Sequence, residues 1–144
     1  MRISDVLRHK GSAVATVDPS TSVRELIALL HARRIGAVVV TELGHVVGIA
    51  SERDVVRELH ERGADLLEAS AADIMTRVVL TCHLQDSVDT LAELMTERRI
   101  RHVPVVEDGR LAGIVSIGDV VKSRMTELEI DRSQLASYIE QGRT

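Results

Sequence analysis

Two stretches, Ser51-Glu-Arg-Asp54 and Ser116-Ile-Gly-Asp119, place a hydroxyl and a carboxylate three residues apart. Each follows an apolar run and precedes residues with helical spacing. A helix start offers free N–H groups and the positive end of a dipole, which attract an anion. A serine there can donate to a phosphate oxygen. An aspartate one turn on would repel phosphate, but it can accept from the adjacent 2′ and 3′ hydroxyls of a ribose. Together the two side chains suit a ribonucleotide. The same spacing is also an ordinary capping box. It recurs at Ser22–Glu25, Ser70–Asp73, Thr90–Glu93 and Thr126–Glu129, so a cap is the standing alternative. Two features set the first pair apart. A glycine, Gly48 or Gly113, stands three residues before each serine, and the motif occupies the same place in two copies of one pattern.

That pattern is an internal repeat at an offset of 65. Ser22–Ile35 lies over Ser87–Ile100, and Ile35–Val56 over Ile100–Val121 without a gap. In the second window 11 of 22 positions are identical, far too many for chance. Ser4–Leu7 pairs with Ala72–Met75 after a three-residue length change. Each copy predicts a short strand (near Val14–Val17 or Val78–Cys82) and a helix opening at Ser22 or Ser87. A strand follows over Ala37–Thr41 or His102–Val106, then a Gly-containing turn. The last strand, Val46–Ala50 or Leu111–Val115, leads into a helix opening at Ser51 or Ser116. Gly63 should end that helix in the first copy. The expected fold is α/β (α+β), a tandem β-α-β-β-α unit. Helices on one face of each sheet leave the other face to be buried against its twin. Pro104 cannot donate to a ladder and should sit at an edge or face a cleft. The organisation expected is residues 1–66, 67–124 and a tail, 125–144. Met125, Leu128, Leu135, Tyr138 and Ile139 form a broken apolar stripe in that tail, and Ser133 could open a short last helix. The stripe should pack on the module or on a second chain.

The chain has 144 residues, 44% apolar and 28% charged, with net charge -4. Mixed charge argues against a general nucleic-acid binder. A single Tyr138 and no Phe or Trp leave nothing on which to stack bases. A flat ligand ring would need aliphatic walls. No apolar run approaches the roughly 18 residues of a membrane span, and Met1–Gly11 lacks a signal-peptide core. One cysteine, Cys82, fits a reducing cytoplasm. The histidines show no metal spacing, and no nucleophile–base pair, Walker loop or GxGxxG is present. No enzyme activity and no catalytic cofactor are expected.

Two β-α-β-β-α copies, each closing on Gly-x-x-Ser-x-x-Asp, resemble the CBS-domain pair, or Bateman module, over Met1 to about Arg124. The segments IGAVVV, SERD, RHVPV and SIGDVVK also resemble small stand-alone bacterial proteins of that family. The resemblance implies an adenine ribonucleotide (AMP, ADP, ATP or NAD(H)) held by Ser51, Asp54, Ser116 and Asp119. It implies a base slot walled by Thr16, Val38 and Val39 in copy one, and by Thr81, Val103 and Pro104 in copy two. Plain core is an equal reading for Val38 and Val103. Arg101 and His102, just before the second strand of copy two, could reach phosphates. Copy one has Gly36-Ala37 there and offers Arg53 beside its aspartate instead. Two unequal sites are expected, the Asp119 site being the stronger. Arg33-Arg34 and Arg98-Arg99 read as helix-ending cations that offset the dipole. The resemblance further implies a homodimer and an unidentified effector protein. Competing readings are a ligand-free interaction protein and, third, a nucleotide-processing enzyme.

Overall fold

The computed structural model describes residues 1–77 and 80–142. Its elements run α1 (Ile3–Lys10), β1 (Thr16–Val17), α2 (Val23–Arg33), β2 (Ala37–Glu42), β3 (His45–Ser51) and α3 (Glu52–Arg62). After a 3-10 turn over Gly63–Glu68 come α4 (Ala71–Ile74), α5 (Val88–Arg98), β4 (His102–Glu107), β5 (Arg110–Ser116) and α6 (Ile117–Gly142). The caps follow the sequence. Ser22 accepts from the Glu25 N–H, Ser51 and Asp54 form a reciprocal capping box, and Gly63 closes α3 at positive φ. Both hairpins turn on two residues at positive φ, Leu43-Gly44 and Asp108-Gly109. That pair of conformations matches the twist of the strands.

The first sheet has the order β1-β2-β3, with β1 parallel and β3 antiparallel to β2. The second has β4 and β5 as its two strands among the described residues. The short strand expected before α5 survives there as one bridge, Cys82 to Val105; Val78 and Val79 fall outside the described residues. Pro104 accounts for the difference. In the first sheet the Val39 N–H donates to the Ala15 carbonyl at 3.1 Å. Pro104 stands at the equivalent position and has no N–H to give. Its carbonyl still accepts from the Cys82 N–H at 3.0 Å, so pairing resumes only there. Cys82 is buried, and burial pushes its thiol up to about 12, leaving it inert at neutral pH.

The packing units cross the sequence repeats. Ile3, Val6 and Leu7 of α1 belong to a core with Val88, Leu91, Met95, Val103, Val105 and Val115 of the second copy. Ala71 and Ile74 of α4 belong to a core with Val23, Leu26, Leu30, Val38, Val40 and Ala50 of the first. Each half therefore receives its leading helix from the other. Backbone bonds seal the exchange: the Ile3 N–H donates to Asp86, and Ile49 and Thr76 bond reciprocally. With β3 also meeting β5, the halves form one body.

The exchange explains the recurrent glycines. A Cβ on Gly48 would lie 2.6 Å from Met75 Sδ and 2.9 Å from the Thr76 carbonyl oxygen, and one on Gly113 would lie 2.7 Å from Leu7 Cδ1. These glycines let the exchanged segments approach the strands.

One expectation for the tail is corrected. No new helix begins at Ser133; α6 runs unbroken for 26 residues through position 124 and beyond. Positions 119–141 hold neither glycine nor proline, and a mid-helix serine costs too little to stop a helix already under way.

Candidate functional site

Both Ser-x-x-Asp motifs are capping boxes at the junction of a strand and a helix. At the first, the Ser51 N–H and Oγ donate to Asp54 Oδ2 at 2.8 and 3.0 Å, and Arg57 donates to Oδ1 at 2.9 Å. Asp54 is only 4% exposed. The N–H that follows each serine ties the helix start to its own sheet: Glu52 donates to the Gly36 carbonyl and Ile117 to that of Arg101.

A cleft of about 470 Å³ opens in front of Ser51 and Asp54, between the two halves. Gly36, Ile49, Glu52, Arg53 and Arg57 line it from the first copy, and Thr76, Leu80, Arg99, Ile100, Arg101 and His102 from the second. Four guanidinium groups thus face two carboxylates. Arg57 is paired with Asp54, whereas Arg53, Arg99 and Arg101 have no ion-pair partner among the described residues. Unpaired arginines beside a helix N-terminus make an anion site, because the guanidinium fork matches phosphate oxygens. Ile49, Leu80 and Ile100 supply the aliphatic surface.

This grouping differs from the expected one. Arg101 and His102 line the cleft of Ser51 and Asp54, not that of Asp119. Val38, Val39 and Val103 have no exposed surface, and Pro104 is buried. These four residues are buried and line neither the Ser51–Asp54 cleft nor the depression at Thr16. Thr16 and Thr81 are exposed, and Thr16 lines a separate depression of about 610 Å³ by the hairpin tips instead. The sequence reading missed Arg57, whose i+3 spacing from Asp54 was a usable signal. It assigned Arg99 to the helix dipole; Arg99 does end α5, in the left-handed conformation at φ 53, but it also lines the cleft.

His102 is half-buried. Burial lowers its pKa, Lys10 lowers it further, and Asp119 and Glu52 oppose them. It is neutral near pH 7 and lies between the two motifs.

The second motif is engaged from within. Lys10 Nζ donates to Asp119 Oδ2 at 2.6 Å and to the Ile114 carbonyl at 2.9 Å. The ammonium takes up an acceptor oxygen of Asp119 that the sequence reading reserved for ligand hydroxyls. Half-burial alone would raise the Asp119 pKa; the Lys10 hydrogen bond and the Ser116 N–H outweigh it and hold the carboxyl below its ordinary value. A lowered carboxylate pKa contributes stability above 3.8 that is lost as pH falls through the folded value. Lys10→Met should therefore lose stability at pH 7, by under about 1 kcal/mol because the pair is partly solvated. Urea titrations should show the gap from wild type closing below pH 3.8.

Among the described residues no group of His, Cys, Asp and Glu could hold a metal ion, and no helix is long and apolar enough to cross a membrane.

Comparison with known proteins agrees with this architecture. The CBS-domain family model matches twice, over residues 3–61 and 71–126. A CBS-domain containing protein from Agrobacterium tumefaciens is 50% identical, with TM-score 0.83, over 86% of this chain and 99% of that one. The CBS domain pair of protein MJ0100, solved with 5′-methylthioadenosine and S-adenosyl-L-methionine, is 27% identical with TM-score 0.79, over 88% of this chain and 98% of that one. A mitochondrial CBS domain-containing protein of Arabidopsis thaliana is 33% identical, over 97% of this chain and 72% of its own length. Two matches to one family model, in halves that share a fold and exchange their leading helices, show that this chain belongs to the CBS-domain family and is a CBS-domain pair.

Proposed function

We propose that the chain is a regulatory module that binds a phosphorylated adenine ribonucleotide (AMP, ADP, ATP or NAD(H)) in the Ser51–Asp54 cleft and signals to a partner protein. One observation carries this reading: three unpaired arginines converge with a helix N-terminus beside aliphatic walls. The adenosine ligands of the MJ0100 pair support the nucleoside half. The charge of this cleft supports the phosphate half, since guanidinium groups repel the sulfonium of S-adenosylmethionine and gain nothing from an uncharged thioether. A ribose would bring its hydroxyls to Asp54, displacing Arg57 from Oδ1 and freeing it for phosphate. Ligand can shift the pair only by its different affinity for two arrangements of the halves, and the cleft, lined from both, provides such a difference.

A thermal-shift panel of AMP, ADP, ATP, NAD+, NADH, GTP, S-adenosylmethionine and 5′-methylthioadenosine tests this. At about 100 times its Kd a nucleotide should add roughly 2.7 kcal/mol, several degrees for a chain of this size. If no phosphorylated adenine nucleotide stabilises the protein, the reading fails. A ligand-free interaction role, which the exposed Val56, Leu59, Val121 and Met125 favour, then replaces it. Turnover of a bound nucleotide would point to an enzyme.

The site should also respond to pH. An anion beside neutral His102 raises its pKa, so binding takes up a proton. Affinity should therefore rise as pH falls from about 7.5 towards 6, and the rise should vanish in His102→Gln. Comparing the two proteins with the same nucleotide removes the titration of the phosphate itself. Without ligand the sign reverses: the unfolded chain takes the proton more readily, so this group costs stability as pH drops below 6.5.

A further inference from the structure

Glu52 stands between two cavities. It lines the Ser51–Asp54 cleft, and it also lines a groove of about 700 Å³ between α2 and α3. Among the described residues no other side chain lines both. The walls of the groove are mostly aliphatic, and His31 and Arg34 are the other ionisable groups in it. The Glu52 backbone is fixed, its N–H donating to the Gly36 carbonyl at 2.9 Å. Its side chain is exposed, as is that of Arg34, and neither has an ion-pair partner among the described residues.

On the cleft side Glu52 shares the space above Gly36 with His102. A Cβ on Gly36 would lie 3.9 Å from Glu52 Cδ and 3.6 Å from His102 Nε2. On the groove side Arg34 ends α2 in the left-handed conformation at φ 53, its N–H donating to the His31 and Leu30 carbonyls. The carboxylate therefore has the cleft arginines on one side and an unpaired guanidinium on the other.

That placement makes the side chain responsive to an anion. In the empty cleft the arginines attract Glu52. A bound phosphate engages those arginines and repels the carboxylate, since like charges crowded into a partly desolvated site are strongly unfavourable. The glutamate can turn about its own side-chain bonds towards Arg34 while its backbone stays bonded to Gly36. The second copy has Ile117 at the equivalent position, so only the first cleft carries such a group.

We propose, on the nucleotide reading of the cleft, that Glu52 is its transducing residue. Phosphate bound in the cleft drives the carboxylate into the α2–α3 groove, where it pairs with Arg34 and changes the charge that the groove presents. Such coupling is reciprocal. Arg34 does not line the cleft, yet it strengthens nucleotide binding by receiving Glu52.

Calorimetric titration of the full chain with AMP, ADP, ATP and NADH tests the proposal on whichever of the four binds most tightly. Glu52→Gln keeps the shape and removes the repelled charge, so it should tighten binding about tenfold. Arg34→Gln should weaken binding about fivefold in the wild-type background and have no effect in the Glu52→Gln background. Arg33→Gln removes the same charge one position away, outside the groove, and should change nothing. Unchanged or weaker binding in Glu52→Gln would overturn the proposal and leave the nucleotide site standing. So would an Arg34→Gln variant that binds like wild type, a loss that persists in the Glu52→Gln background, or an equal loss in Arg33→Gln. Absence of binding by all four, to wild type and to Glu52→Gln alike, would remove the nucleotide reading and the proposal with it.

Discussion

Arg101→Ala should weaken binding of the phosphorylated adenine nucleotide by about 10- to 100-fold. A hydrogen bond to a charged group contributes about 1.5–3 kcal/mol, and a guanidinium without an acid partner has its full capacity for phosphate. The substitution should leave the fold alone. The bond that Arg101 makes to the Ile117 N–H uses its carbonyl, which alanine retains, and an exposed side chain elsewhere costs under about 0.5 kcal/mol. Ligand-free Tm should thus match wild type, while the nucleotide-induced shift shrinks. Arg57→Ala makes the contrast. It also strips the cation from Asp54, so it should lower ligand-free stability as well.

Gly48→Ala should destabilise the protein by about 1–3 kcal/mol, the usual cost of overpacking, lowering Tm by roughly 3–12 °C. The new methyl would overlap Met75, which can turn aside, and the Thr76 carbonyl oxygen at 2.9 Å, which cannot. That carbonyl also accepts from Ile49 at 3.1 Å, so moving it breaks the seam between halves. Gly113→Ala should cost less, because its obstacle is the flexible end of Leu7. Thermal unfolding of the two variants side by side checks the ranking. Equal losses would mean that backbone proximity at Gly48 is not what matters.

Much of the fold was legible because local chemistry sets it. Ser22, Ser51 and Gly63 cap helices where their side chains or conformational freedom allow, and Leu43-Gly44 and Asp108-Gly109 turn hairpins. Pro104 announced a weakened edge, and its missing N–H accounts for the reduced third strand. What the chain did not disclose depends on partners distant in sequence. Lys10 reaches Asp119 across 109 positions, and nothing near either residue signals it. Gly48 and Gly113 looked like ligand glycines because a close backbone approach reads alike whatever approaches. A repeat shows that two units exist but not which leading helix each one keeps. Val38, Val39 and Val103 were candidate walls because an apolar run fits a cleft and a core equally well, and only coverage of both faces decides. Arg99 serves both as a helix-ending cation and as a cleft residue, and the second role appears only once α5 is set against the first half.

The central claim is that one cleft, at Ser51 and Asp54, takes a phosphorylated adenine ribonucleotide while Lys10 occupies the other. Calorimetric titration of the wild-type chain with AMP, ADP, ATP and NADH measures this most directly. The prediction is saturation at one nucleotide per chain, with adenosine itself binding far more weakly than its phosphorylated forms. Absence of binding by all four, two equivalent sites per chain, or adenosine binding as tightly as ADP would contradict it.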